Sequence, residues 1–381
     1  MKNAERSRPG TGENPQRSTP RSQRLLSIAW LLLAATAAAQ EPQYFEPAAG
    51  PHLVFRWDAL ARYDVVDHLH FRPGIERLRF EVRPELDLEF SDRFKIGVRA
   101  IGDLGSDHNE DNGKNFDNYR SRGAALERYY LEAKPGQWTI RAGSFAMPLV
   151  STEMIWDRDI QSQGLAAAWE VPAGGTSTIT IAAAGFYGPQ RGGDRTRIGV
   201  GQVVFRTGDP NRLALEAAGS YWRFDPDNLQ AVYIRQNYST VIGGKRDFLS
   251  EFHILDAIVR LRFPIGKLPV TVGLDGAVNL GVAEEAKNDK SAFEGSVSLG
   301  RLGTPGDWRV FYTYQYVERD AVLGAYTTDD WWFHSWHRGS RAGVALTILP
   351  EVFVQTTVTF QKRLDLPVTL NRVTVDLVKM F

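Results

Sequence analysis

The residues best equipped for chemistry in this chain are its arginines and carboxylates, and they come in rows. Residues 146–161 carry Glu153, Asp157, Arg158 and Asp159. Upstream, Arg77, Arg79, Arg83 and Arg99 occupy polar positions of two neighbouring segments, and Arg141 follows in a third. A carboxylate edge facing a guanidinium row across water sets up a transverse field, which orients dipolar solutes and disfavours apolar ones. Bond-making chemistry finds poorer material. His68-x-His70 and His334-x-x-His337 could be metal pairs, but neither has a third ligand at suitable spacing and both read as loop histidines. Gly192-Gly193 and Gly243-Gly244 are loop glycines rather than phosphate cradles, because no helix follows them. No serine-centred nucleophile elbow occurs. Cysteine is absent, which removes disulfides and thiolate sites. The expectation is a protein that is not an enzyme and takes no cofactor and no metal.

The rows follow from the segments that carry them. From Leu78, one parity reads Leu78, Phe80, Val82, Pro84, Leu86, Leu88, Phe90 and the other Arg77, Arg79, Glu81, Arg83, Glu85, Asp87, Glu89. Period-two alternation marks a strand with one apolar and one charged face. After Ser91-Asp92 the alternation resumes with Phe94, Ile96, Val98 and Ala100. This is a long hairpin with a tight turn. Soluble strands run to about 5–6 residues, whereas a tilted membrane strand needs about 9–11. A soluble sheet and a membrane barrel both accommodate this hairpin, since each barrel strand gives a weak signal.

Charge and hydropathy narrow the classes. Lys+Arg and Asp+Glu both number 45, so no global basicity points to nucleic acid. The mean hydropathy of −0.30 is too polar for a helical membrane protein but admits a barrel, whose strands average lipid-facing and lumen-facing residues. The amino terminus is basic through Arg24, turns apolar over residues 25–39, and reaches Ala37-Ala38-Ala39 before Gln40. Basic region, short apolar core and small-residue cleavage site describe a secretory signal peptide over residues 1–39. A spanning helix would need about 20 residues. Residues 40–50 then form an extended tail, and residues 51–381 remain for the folded body.

That body reads as about sixteen strands with turn chemistry at nearly every break. Short turns such as Pro135-Gly136 and Pro350-Glu351 alternate with longer polar connections such as residues 105–122 and 225–246. A sheet meandering across a membrane has short turns on the periplasmic side and long loops outside. A sandwich has no reason to sort its connections, and no fixed-length repeat points to a solenoid. The fold class expected is all-β: a transmembrane antiparallel up-and-down barrel.

The last strand places Val373, Val375 and Leu377 on one face and ends on Phe381. It resembles the last strand of bacterial outer-membrane barrels, whose terminal aromatic residue is read by the assembly machinery; Lys379 departs by falling on the apolar face, where it would snorkel to the interface. The middle of the chain resembles the putative porin family of Gram-negative-type bacteria. The motifs are a G-x-x-x-x-P element at Gly143 to Pro148, then Trp156-Asp157-Arg158-Asp159, then Gly164-Leu165 opening the next strand. The motif match covers residues 128–171 and is silent on substrate.

The resemblance implies an outer-membrane diffusion channel with outer-membrane lipid, the barrel-assembly machinery and small hydrophilic solutes or ions as partners and no nucleic acid; it leaves open whether three barrels associate as a homotrimer, as general porins do. It also implies that residues 146–161, the third long connection, fold into the lumen. Glu153, Asp157, Arg158 and Asp159 would then form a pore constriction opposite Arg77, Arg79, Arg83, Arg99 and Arg141. Trp308, Tyr312, Tyr314 and Tyr316, with Trp331, Trp332 and Trp336, would be interfacial girdle residues. Two other classes stay open at this point. One is an outer-membrane barrel enzyme of lipase or protease type, and the other is a secreted all-β binding or structural protein.

Overall fold

The strands pair edge to edge until the ring closes. A computed structural model describes residues 50–68, 74–105, 122–188, 195–227 and 236–380. In chain order the strands are β1 (His52–Asp67), β2 (Ile75–Ser91), β3 (Phe94–Gly105), β4 (Arg122–Ala133), β5 (Trp138–Phe145), β6 (Ser162–Pro172), β7 (Thr178–Tyr187), β8 (Arg197–Asp209) and β9 (Leu213–Asp225). A small hairpin follows, β10 (Ser239–Ile242) with β11 (Lys245–Phe248). Then come β12 (Phe252–Ile265), β13 (Leu268–Asn279), β14 (Ser291–Gly300), β15 (Trp308–Val317), β16 (His337–Leu349), β17 (Val352–Arg363) and β18 (Leu370–Lys379).

All but β10 and β11 form one closed antiparallel barrel, in which each strand pairs with its neighbours in sequence and β1 closes on β18. The closing seam sets Leu60 against Val378 and Val65 against Val373. Closure leaves no free edge, the condition for a sheet to sit in lipid with its backbone groups satisfied. The expected leader at residues 1–39, His70 and Phe381 lie outside the described residues.

Sidedness separates a membrane barrel from a soluble one. On β2, Arg77, Arg79, Glu81, Glu85 and Asp87 are buried inside the ring, while Val82, Leu86 and Phe90 face outward and are exposed. Leu53 and Phe55 on β1 are 57% and 61% exposed. Water would penalise such a surface by about 25 cal/mol per Å²; acyl chains do not. Two stacked sheets with their apolar faces together, the soluble alternative, are absent among the described residues.

Three local departures bear on the interior. Lys379 lies among outward apolar residues and donates to Glu351 Oε2 at 2.7 Å across the Pro350-Glu351 turn, with its ammonium 5.2 Å from the Trp57 ring centre. The charge thus snorkels to the barrel end. Between β3 and β4 the register jumps, with Arg99 opposite Arg128 and Ala100 opposite Leu126. The extra residue, Glu127, makes a bulge, so Glu127 and Arg128 both reach the lumen. The polar connection expected over residues 225–246 ends instead in the β10–β11 hairpin, which runs to Phe248, so the next barrel strand starts at Phe252.

Candidate pore constriction

Two connections on the long-loop side fold into the barrel. The first, residues 146–161 between β5 and β6, buries Met154, Ile155, Trp156 and Ile160 almost completely. Its pivot is Trp156. The indole stacks on Trp222 at 6.1 Å, meets Phe186 edge-on at 5.4 Å, and lies 5.3 Å from Tyr326. Its Nε1 donates to the Ile160 carbonyl at 3.1 Å, closing the loop on itself. The receiving wall is apolar because β6 to β9 turn Ala166, Ala182, Ala184, Phe186, Ile198, Val200, Trp222 and Phe224 inward.

The second, residues 318–336 between β15 and β16, reads from the sequence as a loop rich in Trp and Asp, but not as one that enters the barrel. Asp320, Ala321, Val322, Leu323 and Tyr326 in it are buried. It is pinned from the β9–β12 connection, where Asn237 Nδ2 donates to the Arg319 and Val322 carbonyls and the Tyr238 N–H donates to Asp320 Oδ1. The two loops also hold each other. The Asp157 N–H donates to the Tyr326 carbonyl at 2.7 Å, the Thr328 N–H to the Glu153 carbonyl at 3.2 Å, and the Asp329 N–H to Asp157 Oδ2 at 3.2 Å.

Trp331 and Trp336 belong to this second loop, which corrects their expected place in the outer girdle. Trp331 is buried against His337 and Arg341, and Trp336 packs under Arg319 at 4.1 Å. The approach of Trp331 depends on Gly339, where a Cβ would lie 3.0 Å from the indole and 2.7 Å from the Phe360 carbonyl. Trp308 and Tyr312 do face outward and are exposed. His334 and His337 are buried, bonding Thr327 and Gln315, and no metal-holding cluster occurs among the described residues.

The charged wall adjoins the apolar one where β5 pairs with β6. Arg83 Nη2 lies 3.0 Å from Asp159 Oδ1 and 2.9 Å from Glu81. Arg99 binds Glu127 and lies 3.2 Å from Asp58. Arg128 donates to Gln161 Oε1 at 2.6 Å, tying the end of the first loop to the bulge. Arg77 meets Asp64 at 2.7 Å, and Arg372 on β18 grips the same carboxylate with both Nε and Nη2 at 2.9 Å. Arg79 lies 3.2 Å from Glu81 and 3.6 Å from Asp329 of the second loop. Asp330 is met by Arg62 at 2.8 Å and Arg341 at 3.6 Å. Burial alone would raise the Asp330 carboxyl, but the Arg62 and Arg341 guanidinium groups outweigh it and hold it well below the usual carboxylate range.

The structure therefore brings Arg83 and Asp159 together directly and reaches Arg79 only through Asp329. It turns Glu153 to the other side, where Arg341 Nη1 and Nη2 donate to its two oxygens at 2.7 and 3.2 Å. Asp157 faces the second loop. Arg158 is exposed to the lumen. Arg141 is remote from both loops, pairing with Glu132 at 2.6 Å close to the Pro135-Gly136 turn. Beside the first loop lies a cavity of about 540 Å³ lined by charged and hydroxyl side chains, among them Arg128, Glu153, Arg158, Glu294 and Thr313. Asp329, Asp330, Arg62, Arg341 and Arg372 escaped the sequence reading. The Asp-Asp pair in a tryptophan-rich loop was its one visible trace.

The comparisons with known proteins agree with this architecture. A family model described as putative porin matches residues 64–189 and 213–379. No curated protein matches by sequence. Among solved structures, OprB of Pseudomonas putida aligns with a TM-score of 0.61 at 9% identity, covering 87% of this chain and 94% of that one. OmpT of Vibrio cholerae lacking its loop L8 aligns with a TM-score of 0.50 at 11% identity, covering 86% and 99%. At such identities the likeness is one of fold.

Proposed function

The chain belongs to the putative porin family and is a porin-type channel, and from that premise we propose passive diffusion of small hydrophilic solutes or ions through an eyelet formed by both inward loops. The observation that carries this reading is the sidedness of the closed ring. Apolar side chains cover its outside, and charged and hydroxyl groups line a cavity within. Solute would pass between the first loop and the wall of β12 to β16, since the side of β6 to β9 is filled by Trp156 and its aromatic neighbours. No covalent step is required.

The barrel would sit in the outer membrane with its short turns toward the periplasm, after export directed by residues 1–39. Outer-membrane lipid, the assembly machinery reading Phe381 and two further copies in a trimer complete the proposed partners. Fractionation places the barrel, and recording in planar bilayers tests the channel. Detergent-purified, folded protein should give discrete conductance steps. A folded barrel that inserts without conducting would falsify the reading.

A further inference from the structure

Outward charges at the long-loop end of the barrel can carry their own counter-ions. Arg197 meets Asp225, and His253 lies 3.2 Å from Glu251. Arg338 on β16 and Lys362 on β17 are different. They lie directly opposite each other across the strand pair. Their chain neighbours His337 and Gln361 are buried on the lumenal side, so both cations face outward. The side chain of neither has a hydrogen bond, ion pair or ring contact among the described residues. Like charges directly opposite on neighbouring strands destabilise a sheet, and no acidic neighbour relieves them. Glu318 is engaged on the far side of β15, where the Ser291 N–H donates to its Oε2 at 2.7 Å. Asp365 accepts from Arg363 through both oxygens. Asp67 stands two strands away on β1, about 10 Å at the usual strand spacing.

The outer face around the pair grades from oil to charge. One rung of outward residues runs Val297, Tyr312, Ala342, Val358, Val373. The next, toward the long loops, runs Gly295, Tyr314, Ser340, Phe360, Asn371, and the next Phe293, Tyr316, Arg338, Lys362. Tyr312 and Ser340 share a hydroxyl hydrogen bond of 2.8 Å, and Phe360 is exposed beside them. Just past the charged rung, β15 ends at Val317 and β16 begins at His337. The pair therefore sits at the edge of the apolar band. Aliphatic, then aromatic and hydroxyl, then cationic is the order in which a barrel meets a lipid from acyl chain to headgroup. A guanidinium binds two phosphate oxygens through parallel hydrogen bonds, and an ammonium binds phosphate as a point charge.

We propose that Arg338 and Lys362 clamp the headgroup phosphate of an anionic lipid whose acyl chains lie along β15 to β18. This rests on the membrane placement proposed above and is independent of what the lumen passes. Native mass spectrometry of the folded protein in neutral detergent measures its retention of phosphatidic acid, whose phosphate is bare, and of phosphatidylcholine, whose phosphate is capped by choline. The wild type should hold phosphatidic acid more tightly. Arg338→Gln and Lys362→Gln should each raise its dissociation constant about five-fold, and the double variant should raise it further. Arg197→Gln removes the same charge from the same end of the barrel and should leave the constant unchanged.

Both targets point outward and their side chains bond nothing described, so the variants keep a closed barrel. Equal retention by wild type and double variant, or an equal loss in Arg197→Gln, overturns the clamp. Displacement of phosphatidic acid by an equal concentration of inorganic phosphate also overturns it, since the site would then take free phosphate. Recovery of the protein in the soluble fraction without detergent would instead strike the membrane placement.

Discussion

The two inner walls of this barrel hold the same loops by opposite means. Along β1 to β5 and β18 the wall is a lattice of ion pairs, in which Arg83, Arg99, Arg77 and Arg372 share Asp58, Asp64, Glu81 and Glu127. Along β6 to β9 and the adjoining end of β12 it is apolar, and Trp156, Tyr326 and Leu323 press against Trp222, Phe224 and Ile254. The difference bears on what each can do. The pair that ties the first loop to the charged wall, Arg83–Asp159, is open to the lumen; such an exposed pair exchanges partners with water and salt and is worth about 0–1 kcal/mol. Burying a tryptophan is worth several times more and is indifferent to salt. The apolar wall is therefore the anchor. The charged wall sets the field and the register at which the loop tips rest.

The sharpest way to break that comparison is to remove the anchor. Trp156→Ala should cost the loop about 3–5 kcal/mol, the range for deleting a buried large aromatic. The first loop would then leave the wall, and because its Asp157 and Glu153 backbones hold residues 326–329, the second loop would loosen with it. The single-channel current should rise several-fold and become noisy. A quiet current of wild-type size would mean that the ion pairs alone hold the loop.

A smaller effect is expected at the second loop. Gly339→Val would push a side chain into the space taken by Trp331 and the Phe360 carbonyl. Overpacking of this kind costs about 1–3 kcal/mol. Trp331 should move off Arg341, and tryptophan fluorescence should shift to the red as that indole meets water. An unshifted spectrum would show that β16 absorbs the change instead. Smaller still is the Arg83–Asp159 pair, because the Asp159 side chain is 44% exposed. A double-mutant cycle with Arg83→Ala and Asp159→Asn, read from denaturant unfolding in micelles, should give a coupling of about 0.5–1 kcal/mol. Coupling above the Trp156 loss would reverse the ranking of the two walls.

The two walls also differed in how far they could be read from the sequence. The charged wall was legible because alternation on β2 is strict and a lumen of water tolerates the charges it displays. Its bulge left a readable trace, as the outward parity changes from Leu126 to Tyr129 across the adjacent Glu127-Arg128. The apolar wall was not legible as such. When both faces of a strand are apolar, as around Ala166-Ala167-Ala168, alternation no longer tells lumen from lipid. The second loop was opaque for a related reason. Tryptophans suit a lipid interface and a buried plug equally well, and only the tertiary placement of Gly339 and Gln361, which donates to the Phe333 carbonyl and accepts from its N–H, decides between them.

Acidity gives the mildest test. Asp330 joins the second loop to the charged wall, and its carboxyl is held well below the ordinary range: burial raises it, and Arg62 and Arg341 more than reverse that. A depressed carboxyl contributes stability that is present above its unfolded value, about 3.9 for Asp, and is lost as pH falls through the lower folded value. Between neutrality and about pH 4 this contact should therefore keep its charge, and the second loop should stay docked. The channel current should be flat over that interval as far as this loop governs it, with any change confined to stronger acid. Asp330→Asn removes the charge at every pH, so at neutral pH it should already show the loosened behaviour that the wild type reaches only in strong acid. A wild-type transition centred above pH 4 that Asp330→Asn abolishes would place the carboxyl in the ordinary range, and with it the grip of the charged wall on the second loop would be no stronger than that of an exposed pair.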